Sequence, residues 1–419
     1  MTATERHRAR FSGKFRTIGQ AISYVKDTVS NSLSAPLKRV LSGMRPTGKL
    51  HLGNYMGALH NWVRLQHEYD CYFFIADWHA LTTDYADPSQ VKQNTLDVVL
   101  DWLGAGLDPE KCVLFVQSHV KQHAELHLLF SMITPLGWLE RVPTYKEQQE
   151  NLTGKDLSTY GFLGYPLLQS ADILIYQADF VPVGQDQVAH VELTREVARR
   201  FNFFYPRDKS VQGKISYTQQ EGHKETLHPP QIGALKWEEG QTTIRRFNTK
   251  GEESIPILPE PQVLLTPSPK LPGTDGRKMS KSYGNTILLT DPEPVVRQKL
   301  KPMVTDPARV RRSDPGNPDI CPVGDLHKVF SSPETLAKVY DGCKSASIGC
   351  IECKGWVADA VVKELAPIQE RRVRYEQDLP LVQEILDAGS KQATARAEQT
   401  MQEVRAAMGL SETLVGVAQ

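Results

Sequence analysis

A chain of 419 residues, 40 % hydrophobic and 23 % charged, is long enough for two domains around a full core. Its 49 basic and 49 acidic side chains cancel, which argues against a non-specific polyanion binder while allowing a local basic face. No apolar run reaches membrane-spanning length, so a soluble protein without a membrane partner is expected. Residues 1–36 hold Arg6, Arg8, Arg10, Lys14, Arg16 and Lys26 against Glu5 and Asp27. A transit peptide has that composition, but the segment lacks a long apolar face and reads instead as a flexible extension or a misplaced start.

In chain order, Val40-Leu41 is a short apolar strand. Ser42-Gly43-Met44-Arg45-Pro46-Thr47-Gly48-Lys49-Leu50-His51-Leu52-Gly53-Asn54 follows, then Tyr55, Leu59, Trp62 and Val63 at helical spacing. Strand, glycine-rich turn and helix N-terminus suit a nucleotide phosphate, because close backbone approach, unpaired N–H groups and the helix dipole converge there. An ordinary tight βα turn has the same composition. Cys71–Ala76 is a continuous apolar strand of the buried parallel kind. Asp87-Pro88 starts a helix through Val91, Val98, Val99, Trp102 and Leu103. Cys112–Val116 is the next strand and Gln122–Thr134 a helix closed by Pro135. Tyr165–Tyr176 reads as a helix with Pro166 in its first turn, Phe180–Val183 as a strand, and Val188–Phe201 as a helix entered through Gly184-Gln185-Asp186-Gln187. The alternation predicts an α/β fold, a Rossmann-like doubly wound parallel sheet over 37–205 and 271–290, with ligands at the carboxyl ends of its strands.

Between Tyr205 and Gly276 the prolines at 229, 230, 256, 259, 261, 267, 269 and 272 exclude a long helix. Thr242–Phe247 and Ser254–Leu258 flank Lys250-Gly251 and predict a hairpin, so 206–270 reads as a small inserted β element. Gly276-Arg277-Lys278-Met279-Ser280-Lys281-Ser282 is a cationic loop. Lysine is a compact, flexible charge suited to following phosphate charge as it moves, although a solvated surface loop looks alike. From Asp291 onward heptad-like apolar spacing predicts an all-α domain over 291–419, interrupted by the proline-rich Ser313–Pro322.

His51-Leu52-Gly53-Asn54 and Lys278-Met279-Ser280-Lys281-Ser282, in that order on one chain, resemble the two ATP signatures of class I aminoacyl-tRNA synthetases. Gly53 to Ala58, Leu65 to Tyr69, Leu139-Glu140-Arg141, Pro166 to Asp172 and Val181 to Gln187 narrow the resemblance to bacterial tryptophanyl-tRNA synthetases, over about 39–203 and from 271 to the end. It implies activation of L-tryptophan by ATP with Mg²⁺, then transfer to the 3′ end of tRNA(Trp). Lys278, Lys281 and His51 would be catalytic, the lysines following the leaving pyrophosphate. Arg45, Pro46, Thr47, Gly53, Asn54, Gly184, Gln185, Asp186, Met279, Ser280 and Ser282 would complete the ATP site. The indole N–H is a donor only, and Asp172 would accept it from a helix face shared with Gln169 and Tyr165. Tyr165 and Gln187 would hold the α-ammonium, and His79 would pack near the indole. An anticodon-binding role for 291–419, a homodimer and a cytoplasmic location are implied as well. Three positions depart from the pattern: Arg45 stands for glutamine, Gln169 for methionine, and Gln148 for a second lysine after Lys146. Tyrosyl-tRNA synthetases share both signatures and the fold, while an idle paralogue would serve as an RNA-binding or metal-sensing protein.

Cys71 and Cys112 fall in strands and read as small core residues. Cys321, Cys343, Cys350 and Cys353 differ. Six residues separate the second from the third and two separate the third from the fourth, a spacing that lets thiolates face one metal centre. Disulfides are scarce in cytosolic proteins, which leaves a 4Fe-4S cluster, Zn²⁺ or unliganded thiols. The resemblance extends to a subset of bacterial tryptophanyl enzymes with such a cluster near the anticodon-reading end.

Overall fold

The computed structural model describes residues 36–143, 158–207, 215–218, 224–227, 243–246, 255–265 and 271–410. The expectations for residues 1–35, Lys146, Gln148 and Lys250-Gly251 lie outside that set. Its strands are β1 (Arg39–Met44), β2 (Asp70–Ile75), β3 (Cys112–Val116), β4 (Phe180–Val183), β5 (Ile215–Thr218), β6 (Lys224–Leu227), β7 (Thr243–Arg246) and β8 (Gln262–Leu265). Five form one parallel sheet in the order β3-β2-β1-β4-β8. The strand order reverses between β1 and β4, the crevice where a doubly wound sheet binds ligands.

Both faces of the sheet are covered, as its apolar runs require. Val40, Phe73, Ile75, Leu114 and Val116 point into one core layer, while Leu41, Tyr72, Phe74, Val113 and Phe115 point into the other. Trp62 stacks on Phe73 with ring centroids 4.7 Å apart in the first layer. The helices are α1 (Leu52–Asn54, a π turn Tyr55–Leu59, then His60–Leu65), α2 (Asp77–Asp84), α3 (Val91–Ala105), α4 (Gln122–Ser131), α5 (Leu136–Glu140), α6 (Tyr160–Ile175), α7 (Val188–Phe204), α8 (Glu293–Leu300), α9 (Pro322–Phe330), α10 (Pro333–Lys344), α11 (Cys350–Glu376) and α12 (Leu379–Met408). None of the described helices is long and apolar enough to cross a membrane.

Several elements differ from the sequence reading. Helix α3 starts at Val91, because the Asp87 carboxylate accepts the Ser89 N–H at 3.1 Å and holds a turn before it. Helix α6 starts at Tyr160, capped by Thr159, so Pro166 lies inside it rather than in its first turn. Proline has no N–H for the Phe162 carbonyl; burial along α6 outweighs that loss. The hairpin is corrected too. Thr243–Arg246 is a strand, but it pairs antiparallel with β5, which also pairs with β6. Ile257 and Leu258 are buried, and their N–H groups bond Asn202 Oδ1 at 3.0 and 3.1 Å. Beyond them β8 returns to the main sheet beside β4.

The C-terminal helices form as expected and pack on the sheet layers. Helix α11 lies along α3, and α12 lies along β3 and α4. A Cβ at Gly389 would stand 1.9 Å from the Leu114 carbonyl oxygen, so α12 meets the β3 backbone where only glycine fits. β3 is an edge strand, and α12 covers it.

Candidate active site

The nucleotide-loop candidate leaves β1 at Met44 and turns at Gly48, where φ is +95°, a left-handed conformation that glycine adopts at little cost. His51 then caps α1. Its Nδ1 accepts the Asn54 N–H at 3.3 Å while Asn54 Oδ1 accepts the His51 N–H at 3.2 Å. The side chains of the first signature thus cap the helix they precede, satisfying N–H groups that the helix itself leaves open. Burial, and then the Lys281 charge, lower the His51 imidazole to about 4, so it is neutral at pH 7.

The lysine loop sits against this turn. Leu52 N–H donates to the Ile287 carbonyl and Leu289 N–H to the Leu50 carbonyl, both at 2.9 Å. Lys281 Nζ donates to the carbonyls of Thr47 and Gly48, each at 2.9 Å. Burial lowers the Lys281 pKa, and the charges of Asp101 and Asp97 oppose that. Met279 is buried beside Gly53. Ser280 N–H donates to Asn285 Oδ1 at 2.8 Å and its hydroxyl pairs with that of Ser282. Lys278 is exposed. The structure therefore joins the two signatures, 227 positions apart from His51 to Lys278, through backbone pairing and one lysine.

A cavity of about 410 Å³ opens at the β1/β4 crevice. Arg45, Tyr165, Gln169, Asp172, Gly184 and Gln187 line it, together with His79, Thr82 and apolar groups from β1, β4 and α1. Pro46, Thr47, His51, Gly53, Asn54, Gln185 and the lysine loop do not line it. Gly184 precedes the short turn Gln185–Gln187 that leads into α7. Arg45 is held by Thr83 and lies 3.9 Å from Asp84, and burial lowers its pKa against the pull of Asp84.

Asp172 is 1 % exposed, and three side chains converge on it. His123 Nδ1 meets Oδ1 at 2.6 Å, His79 Nε2 meets Oδ2 at 2.8 Å, and the Gln117 amide donates to both oxygens at 2.8 and 3.0 Å. The Tyr176 hydroxyl lies 2.8 Å from His123 Nε2. His123 thus bridges the Tyr176 hydroxyl and Asp172 through its two ring nitrogens. Burial would raise the Asp172 pKa, but the bonds from His123 and His79 outweigh it and hold the carboxyl well below the usual range. An anion is thus locked in the wall of a cavity that combines apolar groups from β1, β4 and α1 with Arg45, Tyr165, Gln169 and Gln187. Gln117 and His123 escape a motif-based reading. Their signal was position, since Gln117 directly follows β3, at the ligand-binding edge of the sheet.

The four C-terminal cysteines stand together on three segments: Cys321 just before α9, Cys343 in the last turn of α10, and Cys350 and Cys353 in the first turn of α11. Burial, then the neighbouring Cys321, Cys343 and Cys350, push Cys353 up to about 12. Arg309 Nη1 donates to Cys343 Sγ at 3.6 Å. Cys353 Sγ lies 3.3 Å from His327 Nε2. Among the described residues no three His, Cys, Asp or Glu side chains are drawn together as the ligands of a metal ion are.

The family of class I tRNA synthetases for W and Y matches residues 36–224 and 237–366, and the chain belongs to it. Within that family it is similar to tryptophan–tRNA ligases. The Ralstonia nicotianae enzyme is 53 % identical over 398 residues, covering 89 % of this chain and 99 % of the relative. The Thermotoga maritima enzyme is 50 % identical, again over 89 % and 99 %. A crystal structure of Campylobacter jejuni tryptophanyl-tRNA synthetase complexed with ADP and tryptophan superposes with a TM-score of 0.70 at 29 % identity, covering 88 % of this chain and 99 % of that one.

Proposed function

We propose that the chain is a tryptophan–tRNA ligase. The tryptophan carboxylate oxygen attacks the α-phosphorus of ATP, the bond to the bridging oxygen breaks, and pyrophosphate leaves; Mg²⁺, when bound, would share its charge. The terminal ribose hydroxyl of tRNA(Trp) then attacks the carbonyl carbon and releases AMP. The observation that carries this reading is the buried Asp172 carboxylate in the cavity beside the Lys281-bridged nucleotide loop. A planar apolar group with one N–H donor fits such a cavity.

Displacement at phosphorus needs alignment and charge stabilisation more than covalent help. Lys281 and Lys278 follow the pyrophosphate charge. Neutral His51 and Asn54 hold the helix N-terminus toward the phosphates, with Pro46, Thr47, Gly53, Met279, Ser280 and Ser282 shaping the loop. Gly184, Gln185 and Asp186 lie by ribose and adenine, and Arg45 places a guanidinium at the cavity wall. Tyr165 and Gln187 take the α-ammonium, and Gln169 adds a polar wall. The Asp172 oxygens are already bonded, so the indole N–H displaces one donor. His79 is that donor, because it alone of the three lines the cavity.

ATP–pyrophosphate exchange with tryptophan beside tyrosine tests the reading. Turnover with tryptophan and little with tyrosine is expected; equal rates, or a preference for tyrosine, overturn it.

The enzyme works in the cytoplasm as a homodimer, with 291–419 meeting the anticodon. Exposed Leu128 on α4, Met132 just after it, Leu136 on α5 and Tyr160 on the neighbouring α6 support the dimer. At Cys321, Cys343, Cys350 and Cys353 the reading is a 4Fe-4S cluster, with Zn²⁺ as the alternative. What supports that reading is the crowding around Cys353 and Cys343, whose thiols are raised by burial and by neighbouring cysteines and would relax beside a cationic centre. Protein purified without oxygen should contain about four irons and four sulfides per chain and lose them in Cys350→Ser or Cys353→Ser. One zinc per chain without iron replaces the cluster by the alternative, and no metal removes both.

A further inference from the structure

One buried ion pair outside the catalytic residues joins the nucleotide loop to the C-terminal helices. Asp101 on α3 is 0 % exposed and Arg372 on α11 is 4 % exposed. Arg372 Nε donates to Asp101 Oδ1 at 2.7 Å, its Nη2 reaches Asp97 at 3.2 Å, and its Nη1 meets Glu376. The second oxygen of Asp101 accepts the backbone N–H of Leu50 at 2.7 Å. Leu50 directly precedes His51, and its carbonyl takes the Leu289 N–H beyond the lysine loop. Helix α11 grips that same segment: Gln369 Nε2 donates to the carbonyls of Leu289 and Asp291, both at 2.9 Å.

A buried ion pair is a poor source of stability, because desolvation of both charges offsets their attraction; apolar replacements of similar volume are often neutral or stabilising. Here the geometry performs a different task. A short, charge-assisted bond from a rigid helix sets the position of one loop amide. Asp101 also faces Lys281 across the loop closely enough to oppose the effect of burial on that lysine.

We propose that Asp101 and Arg372 are positioning residues for ATP: the pair fixes the Leu50 N–H to α11, and so sets the His51–Asn54 turn where Lys281 reaches Thr47 and Gly48. The proposal rests on reading that turn as the nucleotide loop. It also makes the turn's placement depend on a helix whose first residue is Cys350, about 30–40 Å away at 1.5 Å per residue.

The test uses the full-length double variant Asp101→Leu/Arg372→Met, which removes both charges and keeps the space filled. Its tryptophan Kd should stay near that of the parent, while the unpaired Leu50 N–H lowers its thermal unfolding temperature by only a few degrees. The ATP KM in exchange should rise about tenfold, the order expected from a small misplacement of a binding group. Amide hydrogen exchange in 50–54 should speed up while that in 71–75 does not. ATP KM and loop exchange like the parent's overturn the proposal. So does a loss of stability and tryptophan binding with an unchanged ATP KM, which assigns the pair a structural role. If the double variant folds poorly, Asp101→Asn applies the same criteria, keeping the volume and an acceptor but not the charge. His51→Ala separates the two levels. If it too leaves the ATP KM unchanged, the nucleotide-loop reading falls; if it alone raises the KM, only the role of the pair falls.

Discussion

Lys281→Ala is expected to slow ATP–pyrophosphate exchange by about 10²- to 10³-fold, the usual loss for one preorganised donor at developing charge, with tryptophan affinity nearly unchanged. The structure gives the physical reason. Lys281 donates to two neutral carbonyls, Thr47 and Gly48. Away from bulk water, a full negative charge attracts an ammonium more strongly than a carbonyl dipole does. Pyrophosphate charge therefore draws the ammonium away from the carbonyls as the bond to the α-phosphorus breaks. The interaction strengthens along the reaction, which is the condition for raising kcat rather than only binding. Pre-steady-state rates of adenylate formation check this, and a rate equal to the parent's removes Lys281 from the chemistry.

Asp172→Asn should weaken tryptophan binding and abolish most of the discrimination against aromatic analogues that lack the ring N–H. Sites built on a substrate hydrogen bond reject such analogues by about 10⁴- to 10⁵-fold, because the buried partner is left unpaired. Asparagine keeps the volume but offers one acceptor oxygen to His79, His123, Gln117 and the indole together. Asp172→Ala would strand three buried donors and confound binding with folding. The pH dependence has a definite sign. The folded-state pKa is depressed, so the stability contributed by this carboxylate is complete above the unfolded value of about 3.9 and is lost as pH falls below it through the folded value. The acceptor therefore stays ionised across pH 5–8. Full selectivity in the asparagine variant, measured by competition between tryptophan and a benzothiophene analogue, places the indole acceptor elsewhere.

Much of this architecture was legible because single segments declare it. Cys112–Val116 is apolar throughout and buried throughout, and it forms the strand its composition predicts. The two signatures were legible as motifs, but their contact was not, since it depends on backbone pairing between Leu50–Leu52 and Ile287–Leu289. β8 was missed because Gln262–Leu265 is short, stands among prolines, and gains its meaning only beside β4. Pro166 misled for a related reason: tertiary burial of α6 overrides a local rule. The donors around Asp172 come from α2, the end of β3 and α4, and only sheet register brings them together. An ion pair such as Asp101–Arg372, 271 positions apart, leaves no local signal at all.

The seating of α12 on β3 has a consequence for how the chain is made. β3 is complete by Val116, but the helix that covers it ends at Met408. A nascent chain emerging from the ribosome thus presents an uncovered strand edge, with its row of unsatisfied amide and carbonyl groups, from the time β3 emerges until α12 follows it. Premature termination before 379 leaves that edge open for good. Products that end between 282 and 379 should therefore collect in insoluble material through strand pairing between copies, even though every signature residue is already present in them.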